Sequence, residues 1–184
     1  MTTLREHISH ERRRLRQVRT ALSTAVAKGA NGDESYVPFY LAIGDYMETS
    51  MGRLDDQDVY MGKLLEKKIP NPNAEEKKAL AELWERLRIN QEHLKKFVAA
   101  RDALKTKGAA ALDEYEAAAK AYTDYIVASM GHHGGSTNLA QAHFSQDEWN
   151  EMAGVTDASI AKEKELFDRV FAAKPANLTL EAAE

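Results

Sequence analysis

No cysteine occurs anywhere in the 184-residue chain, which excludes disulfides, thiolate metal sites, thiol nucleophiles and iron–sulfur clusters. A reducing compartment is compatible with that, and a cytoplasmic protein is the expectation. Also missing is any apolar run near the roughly 20 residues that span a bilayer. The N-terminal MTTLREHISHERRRLRQ is mixed in charge and has no signal-peptide core, so no membrane partner is expected. A basic excess is lacking too: 29 acidic residues face 25 basic ones, for a net charge of −4, which argues against nucleic acid as a partner. No glycine-rich loop follows a strand, and no strand–turn–helix is available to expose a nucleophile, so phosphate cradling and Ser-His-Asp hydrolysis drop out. Glycine and proline number only 10 and 4, and they cluster. The stretches between them must be long regular elements, and their Ala, Leu, Glu, Lys and Arg content makes those elements helices.

Periodicity then places the helices. Leu4, Ile8, Leu15, Val18, Leu22 and Val26 carry a first helix over about 3–28, stopped at Gly29. Pro38 fits the first turn of a second, whose stripe runs through Ile43, Met47, Met51, Leu54, Met61 and Leu65 to Lys68. Asn73 with Glu76 has capping-box spacing and opens a third helix that ends near Lys107. A fourth starts near Ala109, is interrupted at Gly131-His132-His133-Gly134-Gly135, and resumes to Phe144. Ser145 with Glu148 caps a short helix around Trp149, and a last amphipathic helix from Thr156 or Asp157 carries Ile160, Glu163, Phe167 and Val170. The expected fold is all-α: one antiparallel four-helix bundle with an extra C-terminal helical segment, residues 1–174 forming the domain and 175–184 a loose tail.

Asp45-Tyr-Met-Glu-Thr-Ser-Met-Gly52 and Asp124-Tyr-Ile-Val-Ala-Ser-Met-Gly131 share Asp, Tyr, Ser, Met and Gly at identical spacing. Arg19-Thr-Ala-Leu22 and Arg101-Asp-Ala-Leu104 align as well, which sets Glu11 opposite His93. The bundle therefore reads as a duplicated helical hairpin, whose equivalent positions converge where paired ligands could meet.

A polar group on an apolar stripe is informative, because an unpaired buried charge costs several kcal/mol. Each long helix offers one. Glu11 lies between Ile8 and Leu15 with His7 and His10 on its flanks; Asp58 falls between Leu54 and Met61; His93 sits at the edge of the third stripe; His133, beside His132, continues the fourth. Imidazole and carboxylate suit iron, manganese or zinc. Each group also has a plain structural reading, as a hydrogen-bonded boundary residue or a solvated charge. Glycines in mid-helix cost about 1 kcal/mol each relative to alanine, so the kink around His132 and His133 calls for an offsetting role such as ligand approach. Tyr40, Tyr46, Tyr122 and Tyr125 fit either a pocket lining or a core with hydroxyls at its rim.

Ser9-His10-Glu11-Arg12-Arg13-Arg14-Leu15-Arg16 and Gln91-Glu92-His93-Leu94, with a His-bearing fourth helix followed by Phe144-Ser-Gln-Asp-Glu-Trp149, resemble the hemerythrin-like (HHE cation-binding) domain over about residues 3–155. The resemblance implies a four-helix bundle with a di-iron centre that serves oxygen or nitric oxide binding, redox sensing or iron handling. It implies His10 and His93 as ligands on the first and third helices and His132 or His133 on the fourth. On the second helix the family's His is missing, and Gln57 or Asp58 would stand in; on the fourth, Ser136, Thr137 and Asn138 replace the acid.

Three functions of different kinds are thus expected. The first is a bundle that binds iron or another divalent metal through His10, Asp58, His93, His132 and His133 and accepts a gaseous or small ligand. The second is a metal-free bundle enzyme in which His133, Tyr46, Tyr125 and Asp58 perform acid–base chemistry on a small, perhaps aromatic, substrate. The third is a non-catalytic regulatory bundle whose last helix, through Phe167 and Phe171, binds a partner or a second copy as a homodimer.

Overall fold

A computed structural model describes residues 4–130 and 134–180. Every element in it is helical: α1 (Leu4–Lys28), α2 (Tyr36–Lys68), α3 (Ala74–Lys107), a 3-10 turn (Gly108–Ala111), α4 (Leu112–Ser129), α5 (Gly134–His143), α6 (Gln146–Ala153) and α7 (Asp157–Ala172). None of the described helices is long and apolar enough to cross a membrane.

The boundaries follow from local chemistry. α2 begins at Tyr36, which puts Pro38 in its first turn, where the N–H that proline lacks would have had no intrahelical partner. Asn73 accepts hydrogen bonds from the backbone N–H of Glu75 and Glu76 while Glu76 reaches back to the Asn73 N–H, which completes the expected capping box. Ser145 and Glu148 do the same for α6. Gly108, at φ 59°, ends α3 in a conformation that L side chains rarely adopt. The interrupted fourth helix is two elements, α4 and α5, and Gly131, His132 and His133 lie between them, outside the described residues.

The C-terminal stretch departs from the expected loose tail as far as Leu180. Leu178 is fully buried and Leu180 packs on the same cluster. The Lys174 Nζ donates to the Leu178 carbonyl at 2.6 Å, Lys28 donates to the Asn177 carbonyl, and the Asn177 amide donates to Asp33 at 2.9 Å. Two leucines without other cover give this segment apolar surface to bury, which composition alone did not reveal.

Cross-helix partners fix the packing. Along α2 and α3, Asp45 meets Arg101, Asp55 meets Asn90 and Glu66 meets Trp84, so the two helices run antiparallel. Tyr115 against Phe97 and Tyr122 against Asn90 make α3 and α4 antiparallel as well. α2 is central, touching α1, α3, α5, α6 and α7. This arrangement is compatible with a helical bundle.

α2 approaches α3 closely at two glycines. A Cβ on Gly44 would stand 2.5 Å from Arg101 Cγ, and one on Gly62 would stand 2.5 Å from Trp84 Cζ2. Arg101 cannot easily yield, because its guanidinium is held by Asp45, Glu48 and Asp102. Gly44→Ala is therefore expected to destabilise the protein by about 1–2 kcal/mol, the overpacking outweighing the roughly 1 kcal/mol gained in helix propensity. Urea unfolding checks this; a stabilised variant would show that the two helices separate without cost.

The buried side chains form two clusters. The larger is organised on aromatic contacts, with Tyr40 stacked on Tyr115 at 4.7 Å and Phe97 at 5.2 Å from Tyr115. The smaller comprises Met61, Leu65, Ile69, Leu80 and Ala140.

A candidate ligand cavity between the two clusters

Where the clusters face one another the helices line a partly open cavity of about 520 Å³. Met47 and Met51 line it from the larger cluster and Met61 from the smaller. Leu15 on α1, Leu87 on α3, Ile126 on α4 and Trp149 and Met152 on α6 complete most of the apolar wall. The volume falls in the range of small-molecule sites, and methionine-rich walls adapt to ligand shape.

Its polar groups come chiefly from α2 and α3. Asp55 is one turn beyond Met51 on the buried face of α2 and is 8% exposed. Its Oδ1 accepts a hydrogen bond from the Asn90 Nδ2 at 2.7 Å, and the Asn90 Oδ1 accepts one from the buried Tyr122 hydroxyl at 3.2 Å. That order fixes which way the amide points. The other carboxylate oxygen, Oδ2, takes no hydrogen bond from a described residue. Burial pushes the Asp55 carboxyl up to about 6; the Asn90 hydrogen bond opposes this, and nearby Asp58 and Asp56 add to it. Desolvation outweighs the hydrogen bond because one neutral donor replaces several waters.

The residues expected from the sequence divide sharply. Asp58 lines the cavity, but its carboxylate pairs with Arg86 at 3.1 Å, and Asp55 rather than Asp58 is the buried acid of α2. Tyr125 also lines the cavity, with its hydroxyl donated to the Arg86 carbonyl at 2.9 Å. His93 is half-buried outside the lining and stacks on Tyr125 at 4.8 Å and Tyr122 at 6.1 Å. Tyr46 points elsewhere: its hydroxyl donates to Glu163 on α7 at 2.6 Å. Burial, followed by that hydrogen bond, holds its pKa above the tyrosine range. His10 is exposed on α1, and Glu11 pairs with Arg53 at 2.6 Å. His132 and His133 lie outside the described residues. Among the described residues no group of three or more His, Asp or Glu side chains converges to hold a metal ion.

The sequence reading gave no role to Asp55 or Asn90 and placed Glu163 on the last helix's stripe without one, although each carried a signal. Asp55 is four after Met51, Asn90 continues the Leu83–Leu87 stripe toward Phe97, and Glu163 sits between Ile160 and Phe167. Each is a polar residue in an apolar register, the same criterion that singled out Asp58. α2 is covered on several sides, so its buried arc is wider than one stripe and the neighbouring acid also falls inside it. No family model, curated protein or solved structure matches the chain, so the hemerythrin-like resemblance rests on the residues that carry it.

Proposed function

We propose that this chain binds a small, largely apolar molecule in the inter-helix cavity and moves a proton on it through Asp55. The observation that carries this reading is the buried Asp55 carboxyl, hydrogen-bonded to Asn90 through one oxygen, on the wall of a cavity with methionine-rich apolar sides, where burial pushes it up to about 6. A group poised near the working pH combines a useful population of its basic form with driving force for transfer. In this scheme Oδ2 takes the proton from the ligand and returns it. Asn90 steadies the carboxylate through Oδ1, and Tyr122 holds the Asn90 amide in the donating orientation. Tyr125 and the Asp58–Arg86 pair shape the polar wall. A chain without cysteine or a membrane-spanning helix among its described residues suits a cytoplasmic setting for this role.

The same proposal includes the finer architecture: α1 to α4 as an antiparallel four-helix bundle built from a duplicated hairpin. The matched motifs starting at Asp45 and Asp124 support it, and so does the packing of α1 on α4 alongside that of α2 on α3.

Methyl NMR tests the functional reading. Small aromatic and aliphatic fragments should shift the methyls of Met47, Met51, Met61 and Met152. Their affinity should change with pH around a midpoint near 6 in the natural protein and lose that dependence in Asp55→Asn. Fragments that shift only surface methyls, or an unchanged pH profile in the variant, would overturn it.

A further inference from the structure

Arginines on one face of α1 set what kind of molecule the cavity takes. Arg12, Arg16 and Arg19 follow one another at spacings of four and three, so they share that face. Arg12 and Arg19 line the cavity. None of the three forms an ion pair with a described carboxylate, whereas Arg14, Arg53, Arg86, Arg88 and Arg101 all do. Arg19 is half-buried, and its nearest polar contact is the Met130 sulfur at 3.4 Å. Burial, and after it Arg16, lowers its pKa from the ordinary guanidinium value.

The internal repeat explains why Arg19 is left over. Its counterpart Arg101 is saturated by Asp45, Glu48 and Asp102. In the matched register those acids correspond to Asp124, Val127 and Thr20. Two of the three have lost their charge, and Asp124 pairs with Lys120 at 2.6 Å. The same position that locks α2 to α3 in one half carries an unclaimed cation beside a cavity in the other. A partly desolvated guanidinium gains most from an anion that brings its own apolar body, because the pair then replaces solvent on both sides.

The cavity's own charges permit this. Asp58 is neutralised by Arg86, and Asp55 is the only other carboxylate on the described lining. Arg12 and Arg19 therefore outnumber the unpaired acid.

Resting on the cavity reading above, we propose that the ligand is an amphiphilic carboxylate, with its apolar body between the methionines of α2 and Trp149 and its carboxylate on Arg19, assisted by Arg12. Isothermal titration of the full chain with decanoate, decanol and decylamine tests it. Decanoate should bind at least about tenfold more tightly than decanol, and decylamine most weakly. Arg19→Gln should remove most of the decanoate preference, read as the ratio of decanoate to decanol affinity in that variant. Added salt should weaken decanoate and spare decanol. Equal binding of decanoate and decanol in the natural protein overturns the carboxylate assignment and leaves the cavity reading standing. Failure of all three to bind sinks both. A decanoate preference that survives in Arg19→Gln and in Arg12→Gln places the anion site elsewhere and overturns the assignment.

Discussion

Replacing Glu163 with alanine is expected to lower the unfolding free energy by about 3–5 kcal/mol, among the largest losses any single polar substitution in this chain would cause. Glu163 is 3% exposed on α7. Its Oε1 accepts from the Tyr46 hydroxyl at 2.6 Å, and its Oε2 accepts from the Arg14 Nε at 2.7 Å. One carboxylate thus ties α7 to α1 and α2 together. Burial alone would lower the Arg14 pKa, but the Glu163 hydrogen bond and charge more than offset it, and Arg14 ends above its ordinary value. Removing the carboxylate would strand a half-buried guanidinium and a fully buried phenol. Glu163→Gln keeps one acceptor oxygen for Arg14 and presents an amide NH2 that the Tyr46 hydroxyl oxygen can accept, so it should lose less, and Tyr46→Phe, which deletes only one hydrogen bond, should lose about 1 kcal/mol. Urea unfolding of the three variants gives the order. A loss under about 1 kcal/mol for the alanine variant would show that α7 is held by Phe167 and Val170 alone.

That site also illustrates where the sequence was legible. The capping pairs at Asn73 and Ser145 depend on residues three apart, and they formed as their spacing requires, because helix ends obey local rules. The apolar stripes placed α1, α2 and α3 within a few residues for the same reason. The assembly of a site is not local. Asp58 and Asp55 are one turn apart on α2 and look alike along the chain, yet one reaches Arg86 on α3 and remains a paired boundary charge, while the other is covered by Asn90 and Tyr122. Which acid becomes buried is decided by which side chains of α3 and α4 reach it, and no periodicity records those partners. Glu11, the polar group on the first apolar stripe, is paired with Arg53 in the same way, through a contact between residues 42 apart in the chain. The matched motifs were informative in a different sense: their departures, Val127 for Glu48 and Thr20 for Asp102, single out Arg19, which forms no ion pair with a carboxylate among the described residues.

Asp55→Asn should make the protein more stable near pH 7.5 and leave its stability almost unchanged near pH 4. The carboxyl ionises at 3.8 in an unfolded chain and at about 6 in the fold, so the folded state holds the proton more tightly. Stability must therefore fall as pH rises from about 4 to 6, and the penalty is fully present above that window. The difference between 3.8 and about 6 corresponds to roughly 3 kcal/mol at neutral pH, since one pKa unit is worth about 1.4 kcal/mol. Asparagine carries no charge at any pH and keeps an oxygen for the Asn90 amide, so it escapes the penalty without abandoning the hydrogen bond. Asp58 and Asp56 raise the penalty, and the nearby Arg86 is engaged by Asp58. Denaturant unfolding of both proteins at the two pH values decides the matter: equal differences at both would mean that Asp55 is not desolvated. If the gain at neutral pH is found together with loss of pH-dependent fragment binding, the carboxylate is held at a cost to the fold, the relation expected of a group retained for chemistry rather than for structure.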